Sequence, residues 1–483
     1  MSQSDASPDD RPHGGHPHAA AADVTDAVVA EARAEASLPV SPGDAAEATE
    51  ADRTPDAIPP APKGSLWHDR NFLTMWSGQA LSQFGEQISM LAIPVLAVVL
   101  LNANEFEVGV LNAASVAAFL VVGLPAGAWI DRMRKRHVMI WADLVRALAL
   151  GTIPLLWELG VLQIWHLYAV SLVIGVATVF FDVSYQSIIP SLVRTGQIAE
   201  ANGKLESTSQ LAHLVGPAFA GWLIGILTAP VAMIVTGLTY LTSFTALLLT
   251  RDHEQRRAPE DRAPLRTEIA EGLRWVFGNP LLRRIVGTTA TSNVFSTITY
   301  TMLPLFLLRD LGFTPVGLGT VMSLGAIGGL LGAMATPHIV KVIGEARAIP
   351  VSAIAFSVIS LFLPVAAMIP AFAFPLLVVQ GFVMSFTVLL YNITQVTFRQ
   401  RITPARLLGR TNASIRFVVW GVMPLAALAA GGLGTWLGVV PTLWIAAVGS
   451  LFSAVFVVFG PFWAIRDLPD AAEASETAGA ESV

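Results

Sequence analysis

The chain contains no cysteine, which excludes a disulfide framework, a thiolate zinc cage and a thiol nucleophile. Charge is scarce as well. Asp, Glu, Lys and Arg make up 13% of 483 residues, about half the share usual in soluble domains, so most side chains do not face water. No glycine-rich loop runs into Lys-Ser or Lys-Thr, which excludes an ATPase phosphate cradle. Outside the N-terminal tail the histidines never fall into a metal-ligand spacing. The chain therefore reads as a non-enzyme without metal or cofactor. Its formal net charge of −6 does not announce a nucleic-acid partner, because the acids gather in the tails and the bases in particular loops.

What is present is apolar sequence: 54% of residues are hydrophobic and mean hydropathy is +0.61. A bilayer span takes about 20 apolar residues. Twelve candidate runs lie at 72–101, 107–130, 138–158, 163–190, 206–228, 231–250, 284–309, 315–340, 348–369, 372–397, 412–437 and 441–465. The predicted class is an all-α membrane protein of twelve transmembrane helices in two pseudo-symmetric six-helix halves. Residues 1–65 are rich in Ala, Asp, Glu, Pro and Ser and read as a disordered tail. Its His13, His16 and His18 read as solvated. Residues 66–250 form the first half, 251–283 a linker, 284–467 the second half and 468–483 an acidic tail. Leu265, Ile269 and Leu273 recur at helical spacing in the linker, which predicts an amphipathic helix along the membrane surface.

Lys and Arg orient the spans. Arg132 to Arg136, Arg194, Lys204, Arg251 to Arg284, Lys341, Arg347, Arg399 to Arg416 and Arg466 fall on one side of a twelve-span count, and Arg309 alone on the other. Both termini are thus expected in the cytoplasm, with the chain in the inner (plasma) membrane. The halves resemble each other. A shift of 207 pairs Arg194 with Arg401, Pro217 with Pro424 and Glu86 with Asn293, and a shift of 205 pairs Gly123 with Gly328 and Gly127 with Gly332. Such duplicated architectures place a site near the midplane between the repeats.

Between the second and third runs stands a short charged hairpin with Gly123, Gly127, Asp131, Arg132, Lys135 and Arg136. It resembles the loop 2–3 motif of the major facilitator superfamily, except that Arg134 stands where that pattern has Gly. The resemblance implies a gating latch in which Asp131 accepts hydrogen bonds from a neighbouring helix. The corresponding stretch GGLLGAMATPHIVKVIG keeps the glycines and has no acid, so the latch is expected on one side only. Gly203, Gly216, Pro217 and Gly221 resemble the superfamily's antiporter motif, with Ala212 and Ala220 at two of its glycine positions; a packing role fits them equally. The segments SQFGEQISMLAIP, FFDVSYQSIIPSLV and YNITQVTFRQRITPARLLGRTNASIRFVVWG resemble bacterial enterobactin-exporter and multidrug efflux proteins.

That resemblance implies a monomeric secondary transporter in the lipid bilayer. It would export a small, partly lipophilic molecule (a drug, siderophore or secondary metabolite) in exchange for protons. An importer or facilitator, and a membrane sensor working through its tail, are the alternatives. Intramembrane acids are costly without a partner or a task. Glu86, mid-span, is the first candidate proton carrier, with a hydrogen-bonded tie between the first helix and a neighbour as its other reading. Asp182 is the second, with an ion pair to a loop arginine as its other reading. Asp143 and Arg146 lie three apart on one helix face. The superfamily's cavity-lining spans carry Gln83, Tyr185, Gln186, Asn293, Tyr300, Phe386, Tyr391, Asn392 and Gln395 here.

Overall fold

The computed structural model describes residues 66–122, 129–130, 133–252, 265–404 and 407–465. The first tail, the acidic C-terminal tail and the motif residues Gly123, Gly127, Asp131 and Arg132 lie outside the described residues, as does the side chain of Gln186. The described chain is helical. Before the linker come α1 (Arg70–Val95), α2 (Glu105–Val121), α3 (Lys135–Glu158), α4 (Ile164–Leu192), α5 (Ile198–Leu227) and α6 (Ala229–Leu249). The linker helix α7 is Leu265–Gly278. Then follow α8 (Pro280–Leu305), α9 (Pro315–Ile343), α10 (Glu345–Ser360), α11 (Phe362–Val365), α12 (Ala373–Ile402), α13 (Leu408–Gly421), α14 (Met423–Leu437) and α15 (Val439–Val458). We call α1–α6 the first half and α8–α15 the second.

Among the described residues, ten helices are long and apolar enough to cross a membrane. Two positions of the twelve-span pattern fall outside that set. The described part of α2 has 17 residues, and α8 is diluted by polar Thr288, Thr289, Thr291, Ser292 and Asn293 and by Ser296, Thr297, Thr299 and Thr301. Helix α5 starts at Ile198, ahead of the expected 206, so the polar stretch around Glu200 and Lys204 continues the helix.

The repeat has a different register from the one sequence similarity suggests. Element starts recur at a constant spacing of 210: Arg70 and Pro280, Glu105 and Pro315, Lys135 and Glu345, Ala229 and Val439. Irregularities recur with them. Pro94 in α1 and Pro304 in α8 each lack an N–H, and each helix passes into a five-residue π turn, Leu96–Leu100 and Phe306–Asp310. Those turns close with Leu101 N–H to Leu96 O (3.0 Å) and Leu311 N–H to Phe306 O (2.9 Å). Arg194 thus matches Pro404 rather than Arg401, and Pro217 matches Ala427 rather than Pro424. Isolated like residues misled the alignment by three positions.

The halves meet along two contacts related by the same spacing, α2 against α14 and α5 against α9. Glycines make both possible. A Cβ on Gly109 would lie 2.7 Å from Gly431 Cα and 2.8 Å from Ala427 O, and one on Gly319 would lie 2.1 Å from Pro217 O. A Cβ on Gly221 would lie 2.4 Å from Pro315 O. Only a hydrogen fits at such approaches, where close backbone packing supplies the attraction between membrane helices. Within the second half, Gly328 and Gly332 do the same for α9 on α12, facing the carbonyls of Phe382 and Phe386.

Helix α7 forms as the apolar spacing predicts, but it docks on α13 rather than meeting only lipid. A Cβ on Gly272 would fall 2.5 Å from Arg410 O, Val276 is buried in the cluster with Ile415 and Phe462, and Glu271 pairs with Arg410.

The tight α5–α6 turn also repeats, with one flaw. Gly438 at φ 91 reverses the chain between α14 and α15, while its counterpart Thr228 holds φ 74 and ψ 158, a region nearly reserved for glycine. Thr228→Gly is expected to raise thermal stability in detergent by relieving roughly 1–3 kcal/mol of strain. An unchanged or lower melting temperature would show that the strain is absent.

Candidate functional site

Both crossings lie toward one end of the bundle, here called the sealed end. It carries the links around Asn104 and Thr314. The opposite, basic end carries Arg134, Arg194 and Lys341. At the sealed end the local sequence prepares a contact between the halves. Asn104 caps α2, accepting from Glu107 N–H at 2.9 Å while Glu107 accepts from Asn104 N–H at 2.8 Å. This capping box fixes the first turn and sets Glu105 beside the π turn of α8. There Arg309 donates to Ala103 O at 2.8 Å and pairs with Glu105 at 3.5 Å. Two further bonds cross the halves: Asn112 Nδ2 to Thr301 Oγ1 at 2.6 Å, and Ala218 N–H to Ser323 Oγ at 2.8 Å.

The antiporter-type residues divide here. Gly216 packs on Gln87, where a Cβ would come within 2.5 Å of its side chain, while Pro217 and Gly221 form the crossing with α9. Pro217 also leaves the carbonyl of His213 without its helical donor. Among the described residues nothing approaches a Cβ at Gly203 within 4 Å.

Toward the basic end the walls between the halves are polar. On α1, Glu86 is exposed and Gln83 half-buried. Gln87, buried, meets His213 Nδ1 of α5 at 3.1 Å. On the same side of α5, Gln210 donates to Glu206 at 2.7 Å, and the apolar stripe Leu211, Val215, Trp222 and Ile226 is exposed on another face. From α4, half-buried Asp182 and Tyr185 join this wall. Tyr185 lies within electrostatic reach of Glu206 and Asp182, and its buried hydroxyl has no hydrogen-bond partner.

Behind that wall sits a charged core. Asp143 is fully buried and Arg146 is 2% exposed; they pair at 2.5 Å. The guanidinium lies between the rings of Phe181 (4.2 Å) and Tyr240 (4.5 Å), cation–π contacts that gain strength away from water. Glu86 and Asp182 are both within electrostatic reach of Arg146. Three carboxyls therefore share one buried arginine. Ser243 lies beside the Asp143 carboxyl, and among the described residues Arg146 Nε has no hydrogen-bond partner.

In the second half the expected lining residues separate. Asn392 is exposed and Tyr300 is 55% exposed. Asn293 instead donates to Val419 O at 3.1 Å, tying α8 to α13. Tyr391 bonds Thr289 at 2.9 Å and donates to Ile285 O at 3.2 Å, tying α12 to α8. Gln395 is buried and Phe386 half-buried. Arg416, counted above with the basic loops, lies inside α13 with its guanidinium over Trp420 at 4.7 Å and within electrostatic reach of Asp182 across the halves. Arg399 of α12 is close enough to feel its charge.

The hairpin after α9 does carry an acid. Glu345, just beyond the stretch read above, forms a two-toothed pair with Arg401 at 2.8 and 2.8 Å, so charge at these hairpins is not confined to the first half. Gly344 there needs φ 91, whereas its counterpart Arg134 sits at φ −73 and needs no glycine. In the first hairpin Arg136 reaches Leu247 O and Leu248 O of α6 and Asp252.

The sequence matches the Major Facilitator Superfamily over residues 75–427. The chain belongs to the major facilitator superfamily. It is 28% identical to the multidrug efflux pump Tap of Mycolicibacterium fortuitum, over 78% of this chain and 92% of that one. It is 25% identical to the macrolide efflux protein A of Streptococcus pyogenes, over 82% and 97%. Its fold resembles the nucleoside transporter NupG (TM-score 0.67, 14% identity, 82% and 98% covered). It also resembles a bacterial homologue of the iron transporter ferroportin in an inward-facing state (TM-score 0.63, 16% identity, 81% and 98% covered). The chain is thus a multi-pass membrane transporter rather than an enzyme.

Sequence reading missed His213, Glu206 and the Glu105–Arg309 pair. The pair joins residues far apart in the chain; its one sequence signal was Arg309 standing alone opposite the basic loops. Because the chain lacks cysteine, a single Ser323→Cys reports opening of the sealed end. Adding Arg309→Gln is expected to speed its modification by a polar maleimide. Equal rates with and without Arg309 would show that the pair does not hold the halves together.

Proposed function

We propose that this transporter exports a small, partly lipophilic molecule, of the drug, siderophore or secondary-metabolite kind, by proton antiport with alternating access. It acts as a monomer in the plasma membrane, with the basic end and both termini in the cytoplasm. Residues 66–250 and 284–467 are the rocking halves, and 1–65 and 468–483 are accessory tails. The observation that carries the reading is the set of polar and charged side chains of α1, α4 and α5 (Glu86, Asp182, Glu206 and His213) in a bundle whose halves are joined at the other end by glycine crossings and the Arg309 pair. The chain's similarity to a multidrug efflux pump and a macrolide efflux protein supports the outward direction and a drug-like substrate.

In the cycle, substrate enters from the basic end among Gln83, Gln186, Tyr300, Asn392 and neighbouring apolar side chains. Glu86, with Asp182, takes a proton and changes the number of ionised carboxyls around Arg146. That change alters the hold of α1 and α4 on the α3–α6 core. The Asp131 and Arg132 hairpin latches the basic end when it closes.

The test is dye or macrolide efflux from proteoliposomes under an imposed pH gradient. Glu86→Gln is expected to cut uphill efflux at least about tenfold, as loss of a proton-transfer group does, while downhill exchange continues. Full-rate uphill efflux by that variant would remove Glu86 from coupling, and net accumulation by wild type would make the protein an importer. Deleting residues 1–65 is expected to leave efflux intact. Its loss would make the tail a working part.

A further inference from the structure

One concavity among the described residues lies away from the contacts between the halves. A groove of about 900 Å³ lies on the first half, between α3 and α4, with Arg134 and His137 at its basic-end mouth and Trp141, Val145, Leu172 and Phe180 along its wall. Helix α3 packs on α4 and α6, and α4 on α2 and α3. The groove thus opens on the outer flank of the half, and its apolar wall continues into exposed Leu148 and Leu155 of α3. Its volume falls in the ~300–1,000 Å³ range of small-molecule sites.

We propose that this groove binds one anionic phospholipid. Its acyl chains lie against Trp141, Val145, Leu172 and Phe180, and its phosphate is held by Arg134 and His137. The charge pattern favours this occupant. Among the described lining residues both polar side chains are nitrogen bases, both are exposed, and none is acidic. Arg134 is also the N-cap residue of α3 and makes no side-chain cap bond of its own, so the positive end of a 24-residue helix lies at the same mouth. Trp141 is 64% exposed, and Trp129, 52% exposed, stacks on Phe180 at 6.2 Å. Such amphipathic rings favour headgroup depth. A zwitterionic lipid fits the wall equally but gains nothing from the mouth.

The test uses purified full-length protein in nanodiscs of phosphatidylcholine into which brominated-chain phosphatidylglycerol or brominated-chain phosphatidylcholine is titrated. The difference in fluorescence between wild type and Trp141→Phe isolates quenching at Trp141. Phosphatidylglycerol is expected to bind there about fivefold more tightly, the effect of roughly one basic residue near an anionic headgroup. The preference is expected to fall to near one in Arg134→Gln with His137→Gln, and to survive in Arg134→Lys. Equal quenching by the two lipids in wild type, or a preference unchanged in the double variant, would overturn the proposal. Loss of the preference on adding millimolar glycerol phosphate would also overturn it, because the mouth would then bind the free anion without the chains.

Discussion

The arrangement depends on two places where one backbone touches another through glycine. Gly109 with Gly431, and Gly319 with Gly221, are images of each other at the 210-residue spacing. In a membrane there is no water to drive apolar helices together, so contact must come from close packing. At these points a methyl group would collide with a carbonyl oxygen or Cα. Helix α9 is committed on two sides, to α5 through Gly319 and to α12 through Gly328 and Gly332. Relative motion of the halves therefore has to turn about the crossings rather than slide within a half. The Glu105–Arg309 pair rides on one crossing and is partly exposed, so it biases the position of the halves rather than building them.

The repeat conserves geometry and discards chemistry. At the 210-residue spacing, Asp143 and Arg146 correspond to Ala353 and Phe356, Tyr240 to Ser450, and Glu86 and Asp182 to Ser296 and Asn392. Where the first half buries an ion pair between two rings, the second packs Ala353 and Phe356 and bridges Ser357 to Ser450 O at 2.8 Å. A buried ion pair is weak evidence for stability, since apolar packing of similar volume often does as well. The second half has that alternative. Under the proposed cycle the charge in the first half has a task, because Glu86 and Asp182 stand within electrostatic reach of the same arginine.

Much of this was legible in the sequence, though unevenly. Hydropathy located the spans because length and apolarity are what a bilayer requires. It misplaced α5 because a helix can project beyond the bilayer with polar residues on it. The repeat register was written in Pro94 and Pro304, and in Gly109 and Gly319, all at 210. Similar polar stretches in the loops outweighed those few positions. Asn293 and Tyr391 were read as cavity groups from their span alone. Their carbonyl partners, Val419 and Ile285, lie on other helices, and one sequence does not reveal such pairing. His213 looked isolated for the same reason: Gln87 is 126 residues away.

The charges across the halves have a common sense at the two ends. At the sealed end the first half supplies the acid, Glu105, and the second the arginine, Arg309. Toward the basic end Asp182 of the first half lies within electrostatic reach of Arg416 of the second. Under the proposed cycle, opening one end while closing the other weakens one acid–arginine attraction and strengthens another of the same kind. A proton on Asp182 upsets that balance, because it weakens the basic-end attraction and leaves Glu105 untouched. Under the proposed cycle, proton occupancy in the first half selects which end is closed. That selection needs no change in the glycine crossings about which the halves turn.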